Sequence, residues 1–591
     1  MAVAMRNRDA NQSHTLRSIT DGNAPGEDSA VSRGMVAHIL MLVLLCGVLY
    51  VPRAWSLALA DPEEARCALI VRHMLSTGDF IVPHLGGQAY YDKPAPYFWL
   101  AALGRKLTGS AELGGRLVSG VSALLAALIA YAFGRRLFGP RAGLLAGIVL
   151  ATSGEFFFFA RWYRMDMPFA AAMWAALWCF WRSEMAVAEQ PSKRHGLMGF
   201  YAFCGVATLL KGPAGLVLPA LVVAAYLLLG KQPERLFELL RPSGIILYLL
   251  IAAPWYVAIS LSEPGYAYEF FVRQNLSRFG GVTGRHGMPG IVYVPILLAG
   301  LMPWTIYLPG IAIRCFPRHW RQRNDRPELL FLWLSALVPL VFFMLAKTTL
   351  ANYILPVFPP LAVMMGGLLA NWIVSHKPDR LMRLGQKALL AAVLLFPLVP
   401  VAAEAWLRMI DPWIALPIGA SILAVLMMRQ SLRHAQRASF VGWGVAAVVA
   451  TYAFLIGHTA PSAYELASTR SLAKLISPAD VSLATLCYWN GRAESFAFYT
   501  GCSKIAKFGR SRPEDIETLA GLLESSRRTY CLVRGRDALD ELENACRAQP
   551  IIMQRNGCRW LVTNCEQCPL VDGNMPESTG TPTSTPSTYG K

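Results

Sequence analysis

Charged residues are scarce in this 591-residue sequence: Asp, Glu, Lys and Arg make up 16%, whereas soluble domains carry about 25%. Apolar residues reach 54%, and the mean hydropathy is +0.39. This composition excludes a set of soluble domains, intrinsic disorder, collagen, a coiled coil and a small disulfide scaffold. Acidic residues are the scarcer charge, 37 against 55 Lys and Arg. The net charge of +18 suggests the basic cytoplasmic loops of a membrane protein, and not nucleic-acid binding.

Long apolar runs dominate the sequence instead. A helix needs roughly 20 mostly apolar residues to cross the hydrocarbon of a bilayer. The fifth and sixth such segments share one run that is interrupted at Lys211-Gly212-Pro213, which we interpret as a turn. The sequence thus predicts thirteen spans, near 35–57, 112–133, 142–160, 167–182, 198–210, 213–229, 243–261, 290–313, 328–346, 352–375, 386–403, 412–428 and 438–457.

Every second loop between these spans is rich in Lys and Arg, beginning with Arg135, Arg136 and Arg141. The positive-inside rule therefore places the N terminus in the cytoplasm and the C-terminal segment outside. Residues 1–34 are expected to form a cytoplasmic tail, and residues 35–457 a transmembrane domain. Its first outer loop, residues 58–111, is unusually long and polar.

The sequence changes character after the last span. Residues 458–572 are expected to form a small α/β domain outside the membrane, followed by a disordered tail at 573–591. Alternating apolar residues predict strands at 481–486 and 529–533, and residues 512–526 are typical of a helix.

Cysteines concentrate in this C-terminal region, which holds seven of the twelve. An oxidising compartment favours disulfides, with at least one thiol left over because seven is odd. The pair Cys565 and Cys568 alone is a weak zinc or redox signal, because no second ligand pair has suitable spacing.

The first outer loop holds most of the candidate site residues. Its carboxylates, Asp61, Glu63, Glu64 and Asp92, are possible proton acceptors. Arg66 and Lys93 are candidate phosphate ligands. The spacing of apolar residues over 62–75 predicts an amphipathic helix that lies on the membrane surface. For any single one of these charged residues, the alternative to a functional role is an ordinary solvated surface charge. Their concentration in one loop favours a functional site.

Other outer loops repeat this pattern of charge. Basic residues on the outer side oppose the topogenic preference, and an anionic ligand such as a lipid phosphate explains them. Snorkelling to lipid headgroups is the alternative for Arg161 and Arg285. The candidate site residues in these loops are Asp166, Lys211, Asn275, Arg278, His286, Lys347 and Tyr353.

The segment from Asp61 to Trp99 resembles the first periplasmic loop of bacterial GT-C glycosyltransferases. The nearest branch comprises the aminoarabinose transferases that modify lipid A, with protein mannosyltransferase-like relatives. The matching residues are Glu63-Glu64-Ala65-Arg66, the stretch Met74 to Asp79, and Tyr90-Tyr91-Asp92-Lys93-Pro94. Weaker matches follow at Asp166-Met167-Pro168, Lys211-Gly212-Pro213, Asn275 to Phe279, Pro303-Trp304 and Tyr353 to Pro356, so that the resemblance covers about residues 35–460.

The resemblance implies a polytopic α-helical membrane protein of GT-C type, with about 13 transmembrane helices and a small C-terminal periplasmic α/β domain. It also implies that a sugar, 4-amino-4-deoxy-L-arabinose, passes from undecaprenyl phosphate to lipid A or a related envelope glycan. The transfer would invert the anomeric centre at the periplasmic face of the bacterial inner membrane. Neither a metal nor another cofactor is expected, and no nucleic-acid partner.

The resemblance also assigns residue roles. Glu63 stands where the family commonly has Asp, so Glu63 and Asp61 are alternative catalytic carboxylates, with Asp166 as a second acidic site residue. Arg66, Lys93 and Arg278 are expected to bind the donor phosphate. The other residues expected to line the site are Glu64, Tyr90, Tyr91, Asp92, Lys211, Asn275, His286, Lys347 and Tyr353.

Two alternatives to this function stay open. The same chemistry with mannose or galacturonic acid, on protein or core oligosaccharide, fits because Asn275 replaces a His frequent in the aminoarabinose branch. A transporter of lipid-linked sugars is the second. A transporter is expected to show paired charges at mid-membrane and two similar halves, whereas here the charges lie in outer loops without an internal repeat, which favours an enzyme.

Overall fold

The computed structural model describes residues 25–565, except 187–190, 278–288, 316–325, 348–349, 376–379 and 503. The chain divides into two compact units, Met1–Ser468 and Thr469–Lys591.

The first unit is helical. A two-residue hairpin, β1 (His84–Leu85) and β2 (Gln88–Ala89), is its one antiparallel strand pair within the described ranges. Its helices are Pro25–Tyr50, Glu63–Thr77, Pro96–Thr108, Ala111–Phe138, Pro140–Thr152, Gly154–Ala160, Asp166–Glu184, Pro191–Lys211, Ala214–Leu229, Pro242–Ser262, Tyr293–Gly300, Leu308–Arg314, Pro327–Leu345, Phe358–Val374, Arg380–Leu395, Leu398–Leu407, Ala415–Arg433, Arg437–Phe454 and Ala460–Ala467. Short 3₁₀ or π segments are Pro233–Leu240, Tyr268–Leu276, Gly290–Val292, Trp304–Tyr307, Ala351–Val357, Pro412–Ile414 and Leu455–Thr459.

This unit makes the chain a multi-pass membrane protein. Eight helices in the described residues are long and apolar enough to cross a bilayer, and ten when each of two bent pairs counts as one span. They coincide with ten of the thirteen predicted spans. The other three predicted spans also overlap helices, Asp166–Glu184, Pro191–Lys211 and Ala214–Leu229, but Ala214–Leu229 is short and the other two carry several charges.

Aromatic packing buries the helix Asp166–Glu184 inside the bundle. Trp174 stacks on Phe133 with the ring centroids 5.0 Å apart, and Trp181 lies 5.1 Å from Phe331. Both indole rings are 1% exposed. Large aromatic surfaces contribute much of the energy of such a core. The N-terminal residue of this helix, Asp166, is consequently held deep in the protein, where it becomes part of the site described below.

The second unit contains a five-stranded mixed sheet. Its strands are β3 (Thr485–Trp489), β4 (Ala506–Phe508), β5 (Thr529–Arg534), β6 (Ile551–Asn556) and β7 (Arg559–Thr563). They lie in the order β4–β3–β5–β7–β6. Strand β3 pairs in parallel with β4 and β5, and β7 pairs antiparallel with β5 and β6. Its helices are Arg470–Ala473, Pro478–Leu483, Glu494–Thr500, Glu514–Glu524 and Arg536–Ala545.

Two expectations for the second unit are corrected. Residues 481–486 were expected to be a strand, but a short helix, Pro478–Leu483, occupies the first three of them, and the strand β3 begins only at Thr485. Ser477 caps that helix by accepting a hydrogen bond from the Asp480 amide at 3.1 Å, and Pro478 favours the first helical turn. The strand expected at 529–533 is confirmed as β5.

The expected disulfides are also absent among the described residues, whose eleven cysteines are free thiols. Cys487, Cys531 and Cys546 lie instead within the apolar core of the second unit. There they pack as small hydrophobic side chains, a common role for buried cysteine. Cys568 lies outside the described residues.

Candidate active site

The helix Glu63–Thr77, which we call the loop helix, carries the first candidate residues. Gly78 ends it with a left-handed φ of 77°, donating its amide to the Met74 carbonyl at 2.9 Å. The helix was expected, but not its position. Ala65, Ala68 and Val71 are fully buried in the protein. The apolar side of the loop helix therefore packs on protein and not on the membrane surface.

Glu64 and Arg116 anchor the loop helix. Arg116 donates to Glu64 from Nη2 at 2.7 Å and from Nε at 3.0 Å. The backbone amides of Ala60 and Tyr163 donate to the same carboxylate at 3.0 and 2.9 Å. Arg116 also donates to the carbonyls of Ala54, Leu57 and Ala58. Because the Glu64 side chain is fully buried and saturated with donors, it is structural, which corrects its expected place in the lining of the site.

Glu63 points the other way, into a row of charges of alternating sign. Its carboxylate lies 3.6 Å from Arg66 Nη1 and 4.0 Å from Arg164 Nη2. Arg164 Nε lies 2.6 Å from Asp166 Oδ2, as an ion pair whose N–H does not point at the oxygen. Lys211 Nζ donates to Asp166 Oδ1 at 2.6 Å. We call these five residues the charged network; with three cations and two anions, its net charge is positive.

Asp166 is the most deeply buried member of the charged network, with 2% of its surface exposed. It precedes the predicted span 167–182. Burial alone raises the pKa of a carboxyl group, but the charges of Lys211 and Arg164 outweigh it and hold the pKa of Asp166 at about 2. Asp166 therefore stays ionised at neutral pH, where it fixes the two cations and is a poor proton acceptor.

Gly212 explains the interruption after Lys211. Its φ of 90° is a left-handed conformation that favours glycine, and a Cβ there would lie 2.9 Å from Cζ of Phe270. The turn ends the helix Pro191–Lys211 so that the ammonium group of Lys211 lies 4.5 Å from the ring centroid of Tyr353 and 4.9 Å from that of Phe169. Cation–π contacts thus help to position this lysine.

The segment after β2 supplies the second lysine. Lys93 Nζ lies 3.3 Å from Asp92 Oδ2 and donates to the Asp92 carbonyl at 3.0 Å. Tyr90 donates its hydroxyl to the same carboxylate at 3.1 Å. Tyr91 donates to Glu263 Oε2 at 2.7 Å, which ties this loop to the end of the helix Pro242–Ser262. Burial and Glu263 raise the pKa of Tyr91 to about 12, so Tyr91 remains a hydrogen-bond donor.

A cavity of about 380 Å³ brings the two lysines together with an apolar wall. Lys93, Lys211, Asp92, Asn275 and Tyr353 are the expected residues that line it. Its remaining wall is mainly apolar: Pro213, Ala214, Val217, Phe271, Leu276, Phe342, Phe343 and Ala346, with Gln274 as a further polar group. Such a cavity suits an amphiphilic anion.

The other expected residues fall into three groups. Glu63, Arg66 and Asp166 join the cavity through the charged network, and Tyr90 and Tyr91 hold the loop that carries Lys93. Lys347 is exposed and does not line the cavity. Arg278 and His286 lie outside the described residues. The Asp61 amide donates to the Ala467 carbonyl at 3.0 Å, which fixes the backbone before the loop helix.

Three residues that matter here were not among the expected ones. Arg116 lies inside a predicted span, and its partner Glu64 becomes apparent only from the structure, where both side chains are buried. Arg164 lies two residues before the matching motif Asp166-Met167-Pro168, and Glu263 has no distinctive sequence context. The expectation that Arg161 snorkels to lipid headgroups is wrong. Arg161 is 7% exposed and donates to the carbonyls of Leu49 and Pro52 at 2.9 and 2.8 Å.

Residues 92–257 match the family model described as dolichyl-phosphate-mannose-protein mannosyltransferase. An undecaprenyl phosphate-alpha-4-amino-4-deoxy-L-arabinose arabinosyl transferase of Edwardsiella ictaluri is 34% identical over 337 residues, 56% of this chain and 59% of the relative. The enzyme of the same name from Erwinia tasmaniensis is 30% identical over 64% of this chain and 66% of its own. The aligned region thus spans slightly less than two thirds of these relatives.

The structure is similar to the crystal structure of ArnT from Cupriavidus metallidurans bound to undecaprenyl phosphate, with a TM-score of 0.73 and 22% identity. The similarity covers 90% of this chain and 98% of that one. The similarity shows that this chain has the fold of that membrane protein, the GT-C fold. In sequence, the chain is similar to the two arabinosyl transferases over part of their length.

Proposed function

We propose that this protein transfers 4-amino-4-deoxy-L-arabinose from undecaprenyl phosphate to lipid A or a related envelope glycan. The observation that carries the proposal is the cavity in which Lys93 and Lys211 meet an apolar wall. A polyprenyl phosphate has the matching combination, an anionic head on an apolar chain. The names of the relatives supply the sugar and the carrier.

The two lysines would stabilise the leaving phosphate. Cleavage of the bond between the sugar and the phosphate places negative charge on the phosphate as it departs. Preplaced cations in a largely apolar site stabilise such charge much more than water does. Because the charged network has a net positive charge and Asp92 only balances Lys93, an anion is favoured at this position. The chain's own lysines thus suffice for this step.

Glu63 is the carboxylate that we assign to the acceptor. It is about one-third exposed, whereas Asp166 is nearly inaccessible and ionised in its two ion pairs. Glu63 would orient the acceptor oxygen for attack on the anomeric carbon, opposite the leaving phosphate. One displacement inverts that centre. When the acceptor oxygen belongs to a phosphate of lipid A, no proton has to be removed, and Glu63 acts by positioning.

The proposed location is the bacterial inner membrane, with the cavity and the second unit on the periplasmic side. The alternation of basic loops supports this orientation. A carrier with a polyprenyl chain does not leave the bilayer, which explains why the site is built from the loops of a membrane protein.

Purified protein in detergent, given undecaprenyl-phosphate-linked aminoarabinose and lipid A, tests this function. We expect stoichiometric release of undecaprenyl phosphate and an aminoarabinose increment in the mass spectrum of lipid A. The variant Lys93→Gln/Lys211→Met should lose both, while Lys106→Gln, at an exposed position, should keep them. Transfer of mannose or galacturonic acid instead would replace the proposed sugar. Movement of the lipid-linked sugar across vesicles without turnover would contradict an enzyme.

A further inference from the structure

A second cavity, of about 690 Å³, lies far from the site described above. Arg116, which anchors the loop helix, and Phe138, which lines this cavity, belong to the same helix, Ala111–Phe138. At 1.5 Å per residue, the 22 steps along the helix from Arg116 to Phe138 separate the two places by about 33 Å. The second cavity therefore lies at the opposite end of the transmembrane bundle, the end predicted to face the cytoplasm.

Three arginines, Arg141, Arg314 and Arg326, line this cavity, which we call the arginine cavity. They come from three separate helix ends, so local sequence does not force them together. Asn371 is the other strongly polar side chain in the lining, and no described lining residue is acidic. Glu328, two residues after Arg326, is not among the lining residues. The described lining of the arginine cavity thus carries three positive charges and no negative one.

Two helices add to this positive charge because they begin at the arginine cavity. Pro140–Thr152 and Pro327–Leu345 have 13 and 19 residues, and neither has a side-chain hydrogen bond at its N-cap, Gly139 or Arg326. The N-terminal end of a helix carries partial positive charge and unpaired amide groups. Anions are stabilised at such ends, most strongly where cationic side chains stand beside them.

The rest of the lining is apolar. Phe138, Leu329, Met364, Leu368 and Val374 contribute side chains from three helices that run into the membrane. A free anion such as inorganic phosphate would contact only the arginines and not these apolar side chains. A glycerophospholipid would contact both, with its phosphate against the arginines and an acyl chain along the apolar side chains.

We propose that the arginine cavity binds an anionic phospholipid of the inner leaflet as a structural ligand. The phosphate lies among Arg141, Arg314 and Arg326, and the lipid joins the helix ends that carry them. This site is separate from the proposed transfer site and does not depend on that function. Basic pockets between transmembrane helices on the cytoplasmic side are known settings for anionic headgroups.

The test uses the full-length protein purified in detergent and delipidated. Phosphatidylglycerol, phosphatidylcholine and inorganic phosphate are added separately, and the melting temperature and the retained lipid, by native mass spectrometry, are measured. We expect phosphatidylglycerol alone to raise the melting temperature and to remain bound as a one-to-one complex. Each arginine near an anionic headgroup contributes about fivefold, so Arg141→Gln/Arg314→Gln/Arg326→Gln should bind on the order of 100-fold more weakly.

A matched triple variant, Arg383→Gln/Arg429→Gln/Arg433→Gln, removes three exposed basic residues that do not line the arginine cavity, and should bind phosphatidylglycerol as the wild type does. The variant Arg141→Lys/Arg314→Lys/Arg326→Lys keeps the charge and should retain most binding. It tests the proposal even where the glutamine variant fails to fold. Equal stabilisation by phosphatidylcholine or by inorganic phosphate overturns the proposal. Undiminished binding in the folded glutamine variant also overturns it.

Discussion

Lys211 and Asp166 are 45 residues apart in sequence, yet Lys211 Nζ lies 2.6 Å from Asp166 Oδ1. The contact joins the end of one buried helix to the start of another, at the edge of the cavity that we assign to the donor phosphate. An ammonium group in such surroundings remains charged only with a carboxylate beside it. The pair thus links the stability of the bundle to the chemistry of the site.

Removal of one member of this pair should therefore affect stability and activity together. Lys211→Met removes one of the two ion pairs of Asp166 and should lower the free energy of unfolding by about 3 kcal/mol or more. Transfer should fall by at least about 100-fold, because one of the two cavity cations is lost. Asp166→Asn/Lys211→Met should be less destabilised than Lys211→Met, yet equally inactive. Recovery of activity in the double variant would contradict the role of Lys211 at the phosphate.

The pKa of Asp166 predicts a pH dependence of stability. The pKa is about 2 in the folded protein and about 3.9 in an unfolded chain, so ionised Asp166 stabilises the fold at pH values above about 4. That contribution is lost as the pH falls from about 4 to about 2. The difference in melting temperature between the wild type and Asp166→Asn should be constant from pH 5 to 8 and shrink below pH 4. A difference that changes between pH 5 and 8 would refute the assigned pKa.

Glu64 and Arg116 should behave as structural residues. Glu64→Gln or Arg116→Met leaves a buried charge or several buried polar groups without partners, and should destabilise the protein by about 3–5 kcal/mol. Glu64→Leu/Arg116→Met should recover only part of this loss, because three carbonyls lose their donor. Thermal unfolding measures the effect, with Lys106→Gln as the neutral control. Full stability in both single variants would show that the anchor is dispensable.

Substitution at positions 63 and 61 distinguishes the two candidate carboxylates. Glu63→Gln should reduce kcat about 100-fold or more with little change in the affinity for the donor, since Glu63 is the residue that we assign to the acceptor and it does not line the cavity. Asp61→Asn should reduce kcat much less. Steady-state kinetics with both substrates measures this contrast, and circular dichroism checks the fold of each variant. The reverse order of effects would assign the acceptor to Asp61.

The sequence predicted the helical architecture because a transmembrane helix is recognised from the composition and length of its apolar run alone. It also placed charges in the loops between those helices, and the resemblance added roles to Lys93 and Asp166. The sequence did not predict which partner each charged side chain contacts. Glu63 and Glu64 are adjacent and chemically alike, but they point in different directions, one into the charged network and one onto Arg116.

The error over 481–483 has a local cause, because the cap at Ser477 and the proline after it favour a helix, and the strand begins only at Thr485. The other errors come from tertiary contacts, which the sequence does not reveal. The cysteines of the second unit were counted as disulfide candidates, and their positions in an apolar core were not visible in their spacing. Arg161 was treated as a surface residue because nothing in its neighbourhood reveals the two carbonyls that it binds.

The central claim is that the cavity between Lys93 and Lys211 binds the phosphate end of a polyprenyl carrier. Its most direct test is the binding of undecaprenyl phosphate to purified protein, measured for the wild type, Lys93→Gln, Lys211→Met and the control Lys106→Gln. We predict that each cavity variant binds at least about tenfold more weakly, while the control binds as the wild type does. Equal affinity in all four folded proteins would show that the carrier phosphate binds elsewhere.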